Sequence, residues 1–115
     1  MEARTAQCTR MHLRVAIDYS SKAALQEAFA RVSAGEGEWP GDPLLPNVDL
    51  LLRTGGERRL SDFLLWECAY AELAFVDALF PDLTTSDLDA VFADFVKRDR
   101  RFGGLNAVPV PVGSA

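Results

Sequence analysis

Three side chains that suit phosphate binding follow one short apolar run of the sequence. Arg53 comes directly after the run, and Arg59 and Ser61 follow it on the same segment. Arginine carries a planar, permanently charged guanidinium whose paired N–H groups match phosphate oxygens. Gly55 and Gly56 lie between the arginines and allow a tight turn and a close backbone approach. This pattern predicts a diphosphate site, with an ordinary surface turn as the alternative, because it matches neither standard glycine-rich phosphate motif.

The segment that presents these residues is predicted to be a strand of a parallel sheet. Residues 48–52 read Val-Asp-Leu-Leu-Leu, and leucines that do not alternate with polar residues are typical of a strand covered on both faces. Ligands of open α/β sheets bind beyond the carboxyl ends of the strands, which is where Arg53 lies. Ser61 or Asp62 is then expected to be the N-cap of a short helix through about Tyr70, and the exposed N–H groups at the start of that helix favour an anion.

Two further strands and two longer helices are predicted around this segment. Strands are expected at 13–17 and 72–76 from their apolar and β-branched residues. One helix is expected to begin at Ser20 or Ser21 and to end near Gly35, and another to begin within 84–87. A chain that alternates strands and helices predicts an α/β fold, with a parallel β-sheet of three strands and flanking helices.

The ends and connections of these elements are also predicted. The last helix has several overlapping capping boxes at its start and is expected to close at Arg100 and Arg101, where cations favour the helix dipole. Residues 35–47 are rich in glycine and proline and are expected to form a loop. We divide the chain into a disordered segment at 1–10, a domain at 11–104 and a disordered tail at 105–115.

Composition excludes several classes of function. The 115 residues are 49% hydrophobic and 25% charged, which is ordinary for one globular domain. A net charge of −5 argues against nucleic-acid binding, which depends on clustered cations. Cys8 and Cys68 lack metal-ligand spacing and are expected to be free thiols in a reducing cytoplasm. No apolar run approaches the ~20 residues that span a bilayer, so at most peripheral membrane contact is expected.

The residues around the predicted diphosphate site resemble the cis-prenyltransferases, the family of the undecaprenyl diphosphate synthases. The resemblance is carried by 48–66, continuing through Tyr70-Ala71-Glu72-Leu73. Phe80-Pro81-Asp82 and 100–104, which reads Arg-Arg-Phe-Gly-Gly, are similar to the family's closing motifs at compatible distances. The resemblance implies that 11–104 corresponds to the carboxyl-terminal part of that fold.

The resemblance also implies an activity and a set of site residues. The reaction would be cis-isoprenyl chain elongation, in which isopentenyl diphosphate attacks an allylic diphosphate such as farnesyl diphosphate with the help of Mg²⁺. Glu72 would be the catalytic, magnesium-binding carboxylate, and the motif at 101–103 would reach across a dimer interface. The residues implied to bind isopentenyl diphosphate are Arg53, Arg59, Ser61, Arg101 and Gly103.

Simpler interpretations of Glu72, Arg101 and Glu57 stay open. Glu72 could be a solvated charge at the start of a strand, and Arg101 could serve only the helix dipole. Glu57 could orient an arginine rather than contact substrate. Each of these alternatives concerns how the residue is placed, which the sequence does not determine.

The sequence departs from the family pattern in two places. Residues 18–22 read Asp-Tyr-Ser-Ser-Lys where many members have Asn-Tyr-Gly-Gly-Arg. The Asp-Gly-Asn-Gly-Arg loop, which the resemblance places at the allylic diphosphate and its Mg²⁺, has no counterpart in these 115 residues. Three hypotheses follow: an enzyme half completed by another chain, a non-catalytic partner subunit, or an inactive remnant. The exposed edge of an incomplete sheet predicts a homodimer or a heteromer.

Overall fold

The computed structural model describes residues 2–36 and 47–105. A single 3₁₀ turn at Phe80–Asp82 precedes the last helix. The helices and strands, in chain order, are α1 (Glu2–Thr5), α2 (Ser21–Ser33), β1 (Leu50–Arg53), β2 (Glu72–Phe75) and α3 (Thr85–Phe95). The two strands are parallel, with Leu50 opposite Glu72 and Arg53 opposite Phe75. The predicted α/β fold with parallel strands and flanking helices is therefore confirmed.

β1 forms the centre of the small core. Among residues 2–36 and 47–105, Leu51 on this strand and Cys68 on the connection to β2 are the buried hydrophobic residues, at 8% and 7% exposure. Burial raises the pKa of the Cys68 thiol above its usual value, because the thiolate would lose its hydration there. Both Cys8 and Cys68 are free thiols, as their spacing predicts.

The predicted strand at 13–17 is wrong for this structure. Leu13, Val15 and Ile17 are 73%, 71% and 84% exposed, and the segment joins no ladder. A β-branched run becomes a strand only when a neighbouring strand takes its backbone hydrogen bonds. Within the described residues the sheet has two strands rather than the three predicted, and this segment pairs with neither strand.

The predicted short helix from Ser61 to Tyr70 is a series of turns. Ser61, Asp62 and Leu64 have φ values of 49°, 62° and 47°. This left-handed region is incompatible with a right-handed α-helix. Isolated hydrogen bonds replace the regular series of a helix. One of them joins the Cys68 N–H to the Leu64 carbonyl at 2.9 Å. Ser61 therefore does not begin a helix, and the helix-dipole contribution predicted for it is absent.

α2 begins and ends where the sequence predicts. Ser20 is the N-cap, with an extended backbone at φ −131° and a hydroxyl that accepts the Ala23 N–H at 3.1 Å. Gly35 follows the Ala34 C-cap at φ 77°, a conformation that glycine adopts without a steric penalty. Both ends are set by local chemistry.

α3 begins at the capping box formed by Thr84 and Asp87. The Thr84 hydroxyl accepts the Asp87 N–H at 3.2 Å, and the Asp87 carboxylate accepts the Thr84 N–H at 2.9 Å. The hydrogen bond from the Thr84 hydroxyl lowers the pKa of the Asp87 carboxyl below its usual value, and the Thr84 backbone adds to this. The helix ends at Phe95, so the prediction that Arg100 and Arg101 close it is wrong.

Replacing Thr84 by alanine is expected to lower the free energy of unfolding at pH 7 by about 1 kcal/mol, because the helix loses its N-cap hydroxyl. Thr84→Ser, which keeps the hydroxyl, is the matched control. Asp87 has a lowered pKa, so its contribution is present above pH 3.8 and lost as the pH falls through the pKa in the folded state. In urea unfolding, the difference in free energy of unfolding between the unaltered chain and Thr84→Ala should therefore become smaller in acid. A difference that becomes larger in acid would contradict this prediction.

Several predictions lie partly outside these residues. Most of the loop predicted at 35–47 and of the tail predicted at 105–115 lies outside the described ranges, and the domain boundaries stay predictions. Among the helices in 2–36 and 47–105, none has the length and apolar character needed to cross a bilayer.

Candidate diphosphate site

The turn after β1 is shaped by its two glycines. Gly55 and Gly56 have φ values of 86° and 75°, which L-residues rarely adopt. The Gly55 N–H donates to the Ala78 carbonyl at 2.8 Å, and the Gly56 N–H donates to the Val76 carbonyl at 3.0 Å. Because both donors are used by the segment after β2, the glycines fix the turn and do not point N–H groups at an anion.

Arg53, Arg59 and Ser61 meet on this turn, and we call them the arginine cluster. One nitrogen of the half-buried Arg53 guanidinium, Nη1, donates to Ser61 Oγ at 2.9 Å and to the Arg59 carbonyl oxygen. Beyond the carboxyl end of β1 the structure thus joins the Arg53 side chain to the Ser61 hydroxyl and to the backbone of Arg59, and the joint role of these three residues in binding a diphosphate stays a prediction.

The Arg59 side chain is paired with Glu57. Arg59 Nη1 contacts Glu57 Oε2, and the two side chains are 63% and 47% exposed. An ion pair this exposed contributes little to stability, because water screens it. The Arg59 guanidinium can therefore exchange the Glu57 carboxylate for a phosphate oxygen at small cost.

Glu72 lies at the other end of the short sheet. Glu72 lies opposite Leu50, which is three residues before Arg53 on β1. At roughly 3.3 Å per residue, Glu72 and Arg53 are therefore about 10 Å apart along the strands. Glu72 Oε2 accepts a hydrogen bond from Arg98 Nη1 at 2.9 Å. The structure does not bring Glu72 into the arginine cluster.

Arg98 connects the end of α3 to β2. Besides Glu72, its guanidinium bonds the Leu73 carbonyl at 3.1 Å and Asp94 at 2.6 and 2.9 Å. These carboxylates raise the pKa of Arg98, with Glu72 contributing most. The sequence predicted no role for this residue in the site. The i,i+4 spacing of Asp94 and Arg98 signals their pairing, but the contact with Glu72 depends on the fold.

The residues present do not form a magnesium site by themselves. In the part of the chain that the structure describes, no group of three or more His, Cys, Asp or Glu side chains is placed to hold a metal ion. Glu72 supplies one carboxylate, and that carboxylate is paired with a guanidinium. The role of Glu72 in binding Mg²⁺ stays a prediction.

The segment at 100–103 lies near the amino end of β1. Arg100 Nη1 pairs with Asp49 Oδ1 at 2.7 Å, and its guanidinium lies 4.5 Å from the Phe102 ring centroid. The Arg101 side chain is 57% exposed, with its Nε 3.9 Å from Asp99 Oδ2. This segment therefore lies at the end of β1 opposite to the arginine cluster.

Gly103 is fixed by its conformation and by Tyr70. Its φ is 78°, and a Cβ added there would lie 3.4 Å from Tyr70 Cε1. Any residue with a side chain would therefore be strained in this conformation, and its Cβ would contact the Tyr70 ring. The role of Gly103 that these contacts support is to let the chain turn after Phe102.

The turn that contains Ser61 is joined to the start of α2. The Ser20 hydroxyl donates to Asp62 Oδ2 at 2.6 Å, and the Lys22 N–H donates to Asp62 Oδ1 at 2.9 Å. The Ser20 bond is the main cause of a lowered pKa at Asp62, with Lys22 contributing. We call these contacts, together with those of Ser21, the α2 junction. The serines of this junction lie in the segment 18–22 that departs from the family pattern. The sequence did not predict this junction.

A separate cleft of about 410 Å³ lies between β2 and α3. Arg58 lines this cleft together with Phe75, Val91 and Arg98. None of the three residues of the arginine cluster lines it. Arg58 is therefore a neighbouring cation that serves as a control for Arg53 and Arg59.

The described residues form an α/β unit with parallel strands, and proteins of this class bind ligands beyond the carboxyl ends of the strands. The family model described as putative undecaprenyl diphosphate synthase matches residues 1–103. The chain therefore belongs to this family of prenyltransferases, and the resemblance found in the sequence is confirmed.

Relatives and a solved structure agree with this assignment. Isoprenyl transferase 1 of Bradyrhizobium diazoefficiens is 44% identical over 121 residues, covering 93% of this chain and 47% of the relative. The ditrans,polycis-undecaprenyl-diphosphate synthase ((2E,6E)-farnesyl-diphosphate specific) of Lactiplantibacillus plantarum is 40% identical, covering 90% of this chain and 47% of the relative. The crystal structure of a probable undecaprenyl diphosphate synthase from Campylobacter jejuni matches with a TM-score of 0.75 at 36% identity, covering 89% of this chain and 52% of that one. The chain thus spans about half the length of these relatives.

Proposed function

We propose that this chain is the isopentenyl-diphosphate-binding half of a cis-prenyltransferase. The observation that carries the proposal is the meeting of Arg53, Arg59 and Ser61 on one turn beyond β1, with Arg53 Nη1 2.9 Å from Ser61 Oγ. The names of the relatives support the prenyl-transfer reaction, and the arginine cluster supports a diphosphate as the group that is held.

The hydrogen-bonding capacity of the cluster suits a diphosphate. Ser61 Oγ accepts from Arg53, which leaves its own hydrogen to donate to a phosphate oxygen. Arg53 keeps guanidinium N–H groups beyond the Nη1 that is already used, and Arg59 can turn from Glu57 to the ligand. Two guanidinium charges and one hydroxyl donor would thus surround the negative oxygens, at a place where the backbone is fixed by the glycine turn.

The allylic diphosphate and Mg²⁺ require groups that the arginine cluster does not offer. The Asp-Gly-Asn-Gly-Arg loop that the family resemblance assigns to them is absent from this sequence. We propose that another polypeptide segment supplies this part of the site. Within this proposal the chain works in a homodimer or a heteromer, and Arg101, whose side chain is 57% exposed, would contribute to a neighbouring subunit.

A second candidate function is that of a non-catalytic partner subunit. One observation favours it: the Glu72 carboxylate is paired with Arg98 and lies about 10 Å along the strands from the arginine cluster. In such a subunit, Glu72 would hold β2 to the end of α3, and prenyl transfer would be performed by the other chain.

Calorimetry on the purified chain tests the proposed binding. We expect heat on titration with isopentenyl diphosphate but not with isopentenyl alcohol, which lacks the diphosphate. Arg59→Gln should weaken binding by about tenfold or more, because one charge-assisted hydrogen bond contributes at least about 1.5 kcal/mol. Arg58→Gln, the matched control, should bind like the unaltered chain. Equal weakening by both substitutions, or no heat with the diphosphate, would overturn the proposal.

A further inference from the structure

We propose that Asp62 is a positioning residue for the diphosphate site. Held by Ser20 and Ser21 at the start of α2, Asp62 fixes the turn that presents Ser61, and through Ser61 it orients the Arg53 guanidinium. This inference rests on the function proposed for the arginine cluster. It extends the site to the start of α2.

The turn needs an external restraint. Ser61, Asp62 and Leu64 all have left-handed φ values, between 47° and 62°. Residues other than glycine disfavour this region, so such conformations persist only where surrounding contacts impose them. The sequence places no glycine between Gly56 and the end of this turn to ease the conformation. Contacts from elsewhere in the fold must therefore hold it.

The Asp62 carboxylate supplies the first part of that restraint. Both of its oxygens are used: Oδ2 accepts the Ser20 hydroxyl at 2.6 Å, and Oδ1 accepts the Lys22 N–H at 2.9 Å. The acceptor is charged and one of its bonds is short, which is the stronger kind of hydrogen bond. The Lys22 N–H belongs to the first turn of α2, where backbone donors lack helical partners.

Ser21 supplies the second part. Its side chain is buried, with the residue only 1% exposed. The Ser21 N–H donates to the Asp62 carbonyl at 3.0 Å, and Ser21 Oγ accepts the Leu65 N–H at 2.9 Å. Hydrogen bonds from Ser21 thus hold the strained turn both at Asp62 and at Leu65. An edge-on contact between the Tyr19 and Phe63 rings, with centroids 5.6 Å apart, covers the same junction.

The restraint reaches the guanidinium through one residue. Ser61 directly precedes Asp62, so a fixed Asp62 sets where the Ser61 side chain points. Ser61 Oγ is one of two acceptors that hold Arg53 Nη1, the other being the Arg59 carbonyl on the same turn. If the turn relaxed toward ordinary φ values, both acceptors would move and Arg53 would lose its fixed direction.

The departure from the family pattern gives this junction its chemistry. Ser20 and Ser21 stand where many members have two glycines, and the hydroxyl of each serine makes one bond across the junction. Glycine has no side chain and could make neither bond. In this chain, therefore, the start of α2 is coupled to the arginine cluster by side chains as well as by backbone.

The test measures the Arg53 side chain and the binding of inorganic diphosphate in the same variants. Asp62→Ala removes the carboxylate but leaves the Ser20 N-cap, and Ser20→Ala removes one hydroxyl. Both should shift the Arg53 side-chain ¹⁵N–H signals of the free chain and weaken diphosphate binding by about tenfold, the order expected when one charge-assisted hydrogen bond is lost. Ser20→Thr, which keeps the hydroxyl, should restore both readouts. Ser33→Ala, at the exposed end of α2, is the matched control and should change neither.

The outcomes separate this inference from the proposed function. Arg53 signals that stay in place in folded Asp62→Ala and Ser20→Ala variants would overturn it, as would an equal change in Ser33→Ala. If Asp62→Ala fails to fold, Ser20→Ala decides the matter, since α3 and β1 amide signals report whether the fold is kept. If the unaltered chain binds no diphosphate, the proposed function fails, while the response of the free Arg53 signals still tests the coupling.

Discussion

Replacing Arg53 by glutamine is expected to lower kcat/KM for isopentenyl diphosphate by about 10²- to 10³-fold in a reconstituted prenyl transferase, the effect of removing one preorganised donor at a charged reacting group. Arg53 gives the largest effect in the cluster, because it supplies a charge and is also held by Ser61 and the Arg59 carbonyl. The measurement is incorporation of radiolabelled isopentenyl diphosphate by this chain mixed with the separately expressed amino-terminal half of a relative.

Two variants make the Arg53 result specific. Arg58→Gln removes a neighbouring positive charge that lines the cleft between β2 and α3, and it should retain activity. Arg53→Lys keeps the charge but loses the forked donor, and it should recover only part of the rate. Full activity of Arg53→Gln in a folded mixture, or an equal loss in Arg58→Gln, would contradict the proposed role.

Replacing Glu72 by glutamine is expected to lower the activity of the same mixture by about 10²-fold or more, if this chain is the catalytic half. The family resemblance implies a catalytic carboxylate at this position. A chain that acts only as a partner subunit would tolerate the change, because the reacting groups would then belong to the other chain. The measurement is again incorporation of isopentenyl diphosphate, at several concentrations so that kcat and KM are separated.

The pairing of Glu72 with Arg98 requires its own control. Asp94→Asn removes the other carboxylate that Arg98 contacts but leaves Glu72 unchanged. A loss seen with Glu72→Gln and not with Asp94→Asn would assign the effect to the carboxylate itself. Equal losses would indicate that docking of the end of α3 onto β2 is what matters, and would favour the partner-subunit function.

Local chemistry made several elements predictable. The Ser20 N-cap, the left-handed Gly35 after α2 and the capping box at the start of α3 each depend on groups within four residues of one another. Such contacts form wherever the segment is placed. The continuous leucines of β1 likewise predicted the strand and the position of Arg53 at its end.

The failed predictions depended on distant partners. The run at 13–17 has strand propensity, but a strand also needs a neighbour, and none of the residues described in this structure provides one. The segment from Ser61 to Tyr70 has helix-forming residues, but contacts from α2, more than 35 residues earlier, impose left-handed backbone at Ser61 and Asp62.

The sequence by itself determined the family, the α/β class, both ends of α2 and the start of α3, because neighbours along the chain or a long matching stretch carry this information. Only the tertiary structure decided that Glu72 pairs with Arg98, that both glycine N–H groups are used within the fold, and that Ser20 and Ser21 hold Asp62. The physical reason is that each of these contacts joins segments 20 or more residues apart, and their hydrogen-bond partners are set by strand register and helix docking.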